Sequence, residues 1–240
     1  MKIFDLHTHV LPGVDDGAVN MEYAVQMLRN AAACDVAALA VTPHCNVPDA
    51  RDNYRGESLT ARFEELCLAA REIPIRLVLG AEVRVTEQLP SLLREGRIPT
   101  LNNSRYLLTE FPNRYTDEEC RDALERILDA GYIPLIAHPE RYATVCQTPY
   151  VVEEWLDKGC HLQVTGGSLM GEFGKTVQET ADILIRNDWV CCIASDAHGT
   201  TYRSNYLTHV YDHLALYCGK RYADILMWEN PTRICNDENL

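Results

Sequence analysis

The chain has 240 residues, of which 47% are hydrophobic and 24% charged, a composition typical of a globular protein that can bury a sizeable core. Its formal net charge of −13 argues against nonspecific binding to nucleic acids or anionic membranes, because both depend on basic patches. No apolar stretch approaches the roughly 18 residues of a membrane helix, and the start, MKIFDLHTHV, lacks the basic region of a signal peptide, so we expect a cytoplasmic protein without membrane insertion.

Short apolar segments rich in Val, Ile and Leu have the pattern of strands that are buried on both faces. In chain order the predicted strands are Lys2–His7, Val36–Thr42, Arg76–Ala81, Tyr106–Glu110, Ile133–Ala137, His161–Val164 and Val190–Ala194.

Helical patterns separate these strands. Asn20 is a good N-cap before the first helix, and Gly131 stands in a C-cap position after the third. The predicted helices are Met21–Cys34, Ser58–Glu72, Asp117–Ala130, Lys175–Asn187, Ser204–Cys218 and Arg221–Trp228. Alternating strands and helices favour a parallel sheet in an α/β fold. We expect a single domain over residues 1–240 that forms a closed barrel, with a doubly wound open sheet as the alternative.

Ionisable residues occupy one end of the predicted strands. They are His7, His9, His44, Glu82, Glu110, His138, Asp196 and His198. In parallel barrels the carboxyl ends of the strands carry the active site. Each residue alone is weak support for a site, but five of the eight histidines fall at this one rim. The remaining His161, His209 and His213 do not fit the pattern, and we interpret them as structural or surface residues.

The chemistry of this set indicates more than one metal ion. Imidazole and carboxylate ligands without thiolates suit Zn²⁺, Mn²⁺ or Fe²⁺, and none of the ten cysteines forms a C-x-x-C pair. The ligands exceed what one ion needs, which implies two or three ions that share bridging carboxylates. Clustered ions suit phosphoryl transfer, since they activate water and balance the charge of the phosphate and the leaving oxygen.

An ordered set of segments resembles the PHP (polymerase and histidinol phosphatase) superfamily. The segments are DLHTHVLPGVDDGA, TPHCN, GAE, TEF, IAHPERY, QVTGGSLMGEFG and ASDAHG, and the similarity runs from Met1 to about Tyr206. Within the superfamily, the chain is more similar to the bacterial protein-tyrosine phosphatases that are encoded with capsule and exopolysaccharide export systems. The resemblance implies a distorted (β/α)7 TIM-like barrel, known as the PHP fold, with three divalent metal ions, usually manganese, iron or zinc.

The resemblance also implies which residues bind each ion. Asp16 joins the set here, although it lies in the loop after the first strand, where the positions of the strand ends do not reveal it. We interpret Asp15 beside it as a turn residue or as support for a ligand. Carried over by position, the three sites are His7, His9, Glu82 and Asp196; Asp16, His44 and His198; and Glu82, Glu110 and His138.

Two arginines match positions that hold phosphate in this family, Arg141 in IAHPERY and Arg203 after ASDAHG. A guanidinium fork binds phosphate oxygens and stabilises charge that develops on them. A salt bridge at the rim is the alternative role for Arg203. The sequence departs from the family at Thr165, where asparagine is common, and in its short tail after Gly219, which leaves the assembly open.

The segment from His44 to Arg51 also fits the HC-x5-R outline of cysteine-dependent tyrosine phosphatases, with Cys45 as nucleophile. We discount this interpretation, because Pro48 lacks an N–H group and Asp49 places negative charge where phosphate would bind.

These observations predict a metal-dependent protein-tyrosine phosphatase with three ions, most simply Mn²⁺, and with Arg141, Arg203 and His138 as catalytic residues. The resemblance implies a phosphotyrosyl protein as substrate, most naturally the tail of a bacterial tyrosine kinase that regulates capsule or exopolysaccharide synthesis, although no residue of the chain itself identifies that partner. Phenol has a pKa of about 10, so tyrosinate leaves more readily than a serine alkoxide. The alternatives are a small-molecule phosphoesterase, such as a histidinol phosphatase, and a non-catalytic regulator that metals stabilise.

Overall fold

A computed structural model describes residues 1–48 and 52–240 of the chain. Within these residues every pair of neighbouring strands is parallel. The strands are β1 (Ile3–Thr8), β2 (Val36–Val41), β3 (His44–Cys45), β4 (Arg76–Leu79), β5 (Glu82–Arg84), β6 (Tyr106–Glu110), β7 (Ile133–Ala137), β8 (His161–Thr165) and β9 (Val190–Ala194).

Helices of very different length connect the strands. Asn20 caps the first one as predicted, because its side-chain oxygen accepts from the amide of Tyr23 at 2.9 Å. None of the helices in the described ranges is long and apolar enough to cross a membrane. They are α1 (Met21–Ala33), α2 (Glu57–Ala69), α3 (Leu89–Arg94), α4 (Asp117–Asp129), α5 (Ala143–Gln147), α6 (Val152–Asp157), α7 (Gly166–Leu169), α8 (Lys175–Arg186), α9 (Thr208–Tyr217), α10 (Lys220–Asp224) and α11 (Asn230–Cys235).

The strands lie in two sheets, with the orders β1-β2-β4 and β3-β5-β6-β7-β8-β9. Strand β3 continues β2 after a break at Thr42 and Pro43, and β5 continues β4 after a break at Gly80 and Ala81. Hydrogen bonds cross both breaks, from the Gly80 amide to the Val41 carbonyl at 2.9 Å and from the Glu82 amide to the Pro43 carbonyl at 3.1 Å. The nine segments therefore occupy seven strand positions.

The last strand joins the first at their carboxyl ends. The Asp196 amide donates to the His7 carbonyl at 2.9 Å, and the His9 amide donates to the Ala197 carbonyl, also at 2.9 Å. Thr8 and Ala197 form a parallel bridge between these two hydrogen bonds. The predicted distorted (β/α)7 barrel is thus confirmed, and the doubly wound alternative is wrong.

Two apolar clusters fill the fold, one on each face of the strands. Leu108 and Leu135 belong to the cluster inside the barrel. Their chain neighbours Leu107 and Ile136 pack on the other face with helix residues such as Leu124 of α4. This alternation follows from the two-residue period of a strand. It places Glu110 on the inner face, in step with Leu108 and at the end of the same strand.

The segment after Gly219 packs against the amino ends of the strands, away from the rim. Trp228 lies beside Phe4, with ring centroids 6.4 Å apart. The Asn230 side chain donates to the Cys191 carbonyl at 2.8 Å, and the Tyr106 hydroxyl donates to the Glu238 carbonyl, also at 2.8 Å. The short tail therefore covers one end of the barrel and leaves the other end open.

Candidate metal centre

The carboxyl ends of the strands bring the predicted ligands together at one end of the barrel. Three overlapping groups of ligand atoms occur among the described residues, each with its atoms within 4.8 Å of one another. The first group is the one expected for the first ion, the second adds His9 to the expected set, and the third contains His44 instead of His138. The groups are His7, His9, Glu82 and Asp196; His9, Asp16, His44 and His198; and His44, Glu82 and Glu110.

His7 and His9 meet through their Nε2 atoms, which are 3.2 Å apart. The other nitrogen of each ring has its own acceptor: His7 Nδ1 lies 2.9 Å from Gln163 Oε1, and His9 Nδ1 lies 2.8 Å from Asp15 Oδ2. These acceptors favour the tautomer with the proton on Nδ1. The Nε2 lone pairs of both rings then point at the same position, where a cation could accept them as ligands.

Glu82 lies at the centre of the site and is almost completely buried. Its Oε2 atom is 3.3 Å from His7 Nε2 and 3.2 Å from His9 Nε2. Its Oε1 atom is 2.7 Å from His138 Nε2. Among the described residues, no donor has hydrogen-bond geometry towards Glu82 Oε2 or Asp196 Oδ1. Buried carboxylate oxygens without donors are costly, so both atoms fit coordination to a metal ion.

Asp16 forms the solvent side of the site. Its Oδ1 atom lies 3.3 Å from His44 Nε2 and 3.4 Å from His198 Nε2. His198 Nδ1 lies 3.0 Å from the Asp196 carbonyl oxygen, which leaves Nε2 turned towards Asp16. The His44 side chain is also directed to Glu82, since its Nδ1 is 2.9 Å from Glu82 Oε2. Asp16, His44 and His198 are therefore arranged as three ligands around one position.

Burial changes the protonation of two predicted ligands. It raises the pKa of Glu110 to about 7, and the nearby charge of Glu82 adds to this rise. It lowers the pKa of His138 to about 4, an effect to which the charge of Arg141 contributes. The His138 imidazole is therefore neutral at pH 7, the form that binds a metal ion.

Arg141 and Arg203 converge on one oxygen, Oδ2 of Asp196. Arg203 donates to it at 2.7 Å, and Arg141 forms a second, short contact with the same atom. Arg141 also donates to the hydroxyl of Thr165 at 3.1 Å, so the residue that departs from the family helps to position this arginine. The salt bridge expected as the alternative for Arg203 is present, and its partner Asp196 belongs to the first group of candidate ligands.

Backbone turns direct the arginines to this point. His138 has a left-handed conformation (φ 37°) and precedes a turn of 3-10 helix over Pro139–Arg141. Arg203 is also left-handed (φ 45°). Its carbonyl accepts from the amide of His198 at 2.8 Å, which holds the loop after β9 against the site.

Three further buried residues, which the sequence motifs do not mark as functional, support the site. Gln163 contacts His7, as described above. Asp5 accepts from the hydroxyl of Ser195 at 2.6 Å and from its amide at 2.9 Å. Glu140 accepts from the Ser168 hydroxyl at 2.6 Å and from the Thr165 amide at 3.0 Å. A charged or amide residue inside an apolar strand was the signal for Asp5 and Gln163.

Cys45 is unsuited to be the nucleophile of an HC-x5-R loop. Its side chain is completely buried. Burial, together with the charge of Asp52, raises the pKa of the thiol to about 12, so almost no thiolate exists at neutral pH. Asp49, Ala50 and Arg51, the end of this motif, lie outside the described residues.

Comparisons with known proteins agree with this geometry. A family model described as capsular polysaccharide synthesis, CpsB/CapC, matches residues 3–236. A putative tyrosine-protein phosphatase CapC of Staphylococcus aureus is 31% identical over 87% of this chain and 82% of its own. The tyrosine-protein phosphatase CpsB of Streptococcus pneumoniae is 30% identical over 98% of this chain and 99% of its own.

A solved structure matches over nearly the full length of both chains. It comes from a study of YwqE from Bacillus subtilis and CpsB from Streptococcus pneumoniae, described as unique metal-dependent tyrosine phosphatases. The TM-score is 0.91 at 27% identity, and the match covers 99% of this chain and 96% of the other.

Proposed function

Because this chain belongs to the CpsB/CapC family of capsular polysaccharide synthesis proteins, we propose that it is a metal-dependent phosphatase that hydrolyses phosphotyrosine side chains in proteins. The observation that carries the proposal is the convergence of two arginines on Asp196, a residue of the His7, His9 and Glu82 cluster. Metal ligands and phosphate-binding groups are thereby joined in one site. We treat residues 1–240 as one catalytic domain.

Three divalent ions, with Mn²⁺ as the first choice, are proposed to bind the ligand groups. Such ions, when bound, would activate water for attack on phosphorus and balance the charge of the phosphate. The ligand sets are His7, His9, Glu82 and Asp196; Asp16, His44 and His198; and Glu82, Glu110 and His138. The Nε2 atoms of His7 and His9, which lie 3.2 Å apart, support the first set, as do the oxygens of Glu82 and Asp196 that have no donor among the described residues.

Arg141 and Arg203 are proposed to hold the phosphate oxygens. Both side chains are about four-fifths buried, at 20% and 23% exposure, so solvent screens their charges only weakly. Asp196 holds both guanidinium groups in place before the substrate binds. Their hydrogen bonds to phosphate would strengthen as negative charge develops in the transition state, so the arginines contribute to the rate as well as to binding.

The basicity of the leaving oxygen favours phosphotyrosine over phosphoserine as the substrate. The phenol of tyrosine has a pKa of about 10, whereas an alkoxide from serine is far more basic. Tyrosinate can therefore leave without a strong general acid from the protein. We propose that the phosphotyrosyl tail of a bacterial tyrosine kinase is the natural substrate, and that the reaction serves capsule or exopolysaccharide synthesis.

The deciding experiment measures phosphate release from a phosphotyrosyl peptide after chelation and again after adding Mn²⁺. We expect the chelator to remove activity and Mn²⁺ to restore it. Glu82→Gln should be inactive in Mn²⁺, whereas Glu87→Gln, the same change at an exposed position, should behave like the wild type. Release that survives chelation would overturn the metal mechanism.

The same assay with histidinol phosphate tests the choice of substrate. A higher kcat/KM for histidinol phosphate than for the peptide would replace the protein phosphatase with a small-molecule phosphoesterase. Metal that raises the melting temperature without any turnover would favour a non-catalytic regulator.

A further inference from the structure

A cavity of about 580 Å³ lies beside Arg203, between the segment that follows β8 and the loop that follows β9. Its walls include Gly167, Met170, Phe173, Arg203, Tyr206 and Leu207. We propose that this cavity binds the phenyl ring of the substrate phosphotyrosine and thereby selects aryl over alkyl phosphates. This inference rests on the proposed function and extends it to the recognition of the leaving group.

The cavity adjoins the site where the phosphate would bind. Arg203 is part of the cavity wall and donates to Asp196 Oδ2 at 2.7 Å. The other oxygen of Asp196, Oδ1, is 3.5 Å from His7 Nε2. Arg203 therefore connects the cavity wall to the candidate ligand group of His7, His9, Glu82 and Asp196. A phosphate held by the arginines would have its ester group within reach of this space.

Phe173 gives the cavity an aromatic wall next to the second arginine. The guanidinium carbon of Arg141 lies 4.6 Å from the centre of the Phe173 ring. Phe173 is only partly buried and Met170 is 42% exposed, so neither belongs to the buried core. An aromatic ring and a thioether are well suited to contact another aromatic ring. Because Phe173 and Met170 lie in the cavity wall beside the candidate metal ligands, both are placed to contact the ring of the substrate.

The charges around the cavity determine which end of the ligand faces Arg203. Among the described residues that line it, Arg203 is the only arginine or lysine, and Glu172 and Asp212 are carboxylates. The carboxylates would repel a phosphate, whereas Arg203 would attract one. The phosphate end of the ligand is therefore directed to Arg203, and the ring enters the cavity. The side chain of phosphoserine is too short to fill the same space.

The test compares phenylphosphonate, methylphosphonate and inorganic phosphate as competitive inhibitors of the Mn²⁺-loaded enzyme. These probes share the anionic group and differ in the ring. We expect phenylphosphonate to bind the wild type more tightly than methylphosphonate. Phe173→Ala should reduce the ratio of these two inhibition constants roughly threefold to tenfold, and Met170→Ala should reduce it less. Phe63→Ala, the same change at a partly buried position in α2, should leave the ratio unchanged.

Inorganic phosphate separates a ring contact from an indirect effect through Arg141. An equal loss of affinity for all three probes in Phe173→Ala would overturn the proposal, because the phenylalanine would then act on the phosphate site. An unchanged ratio in both Phe173→Ala and Met170→Ala would overturn it as well. Failure of the wild type to hydrolyse any phosphotyrosyl peptide would instead refute the proposed function.

Discussion

The imidazole rings of His7 and His9 face each other through Nε2 atoms that are 3.2 Å apart. The rings are held in this orientation from behind, His7 by Gln163 and His9 by Asp15. The two residues are separated by one position where β1 ends at Thr8, and extended backbone there brings both side chains to the same region. The partners on Nδ1 then determine which nitrogen is available to a metal ion.

Gln163→Leu should weaken metal binding roughly 10- to 100-fold, the usual loss when a ligand histidine loses its supporting hydrogen bond. Leucine is similar in size but has no oxygen to accept from His7 Nδ1, so the ring loses its fixed tautomer. The measurement is a competition titration of Mn²⁺ against a chromophoric chelator. Gln26→Leu, at an exposed position of α1, is the matched control. Equal affinities for the two variants would contradict a supporting role for Gln163.

His138→Ala should abolish turnover while the fold survives. The His138 ring lies 2.7 Å from the buried Glu82 Oε1, and its removal leaves that oxygen without a partner. Circular dichroism and the bound metal content would be measured alongside phosphate release. The same change at His213, a helix residue that we interpret as structural or surface, serves as the control. Retained activity with unchanged metal content would show that His138 is not a ligand.

Arg141→Lys and Arg203→Lys should each lower kcat by roughly 10²-fold or more while metal binding persists. A lysine keeps the charge but cannot reproduce the planar fork of a guanidinium. Steady-state kinetics on a phosphotyrosyl peptide, with metal analysis of each variant, would test this. Arg71→Lys, on an exposed side chain, should change neither quantity. If only KM rose, the arginines would contribute to binding and not to the transition state.

Cys45→Ala should keep nearly full activity and full sensitivity to chelators. The raised pKa of the thiol keeps it protonated below about pH 12, so it provides no nucleophile. Removing a buried sulfur should cost about 1 kcal/mol of stability, which the melting temperature would report. Phosphate release measured well below that temperature decides the matter. Loss of activity in a folded, metal-loaded variant would show that Cys45 takes part in the reaction.

Much of the barrel could be predicted from apolar segments alone. Tyr106–Glu110, Ile133–Ala137 and Val190–Ala194 have the predicted bounds. The second and third predicted strands correspond to β2 and β4, but β3 and β5 lie beyond the predicted bounds, because apolar character does not show that the ladder resumes after Pro43 and Gly80. The helices α3, α5, α6, α7 and α11 were not predicted, since four to six residues are too few to display helical periodicity.

The site was predictable to the extent that its residues end strands. Asp16 required the family resemblance, because a loop carries no periodic pattern. The cavity beside Arg203 depends on how the loop after β9 lies against the segment after β8. Such a relation between distant segments is set by packing and loop geometry, and local sequence does not encode it.

The joining of β9 to β1 makes the site depend on contacts between residues that are far apart in the sequence. His7 and His9 lie at the end of β1, whereas Asp196, His198 and Arg203 follow β9. The amide of Asp196 donates to the His7 carbonyl where the two strands join, so these distant residues must be brought together before the site is complete. A chain without β9 and the loop after it therefore keeps His7, His9 and Arg141 but lacks Asp196 and Arg203, so a truncation there removes the carboxylate on which both arginines converge.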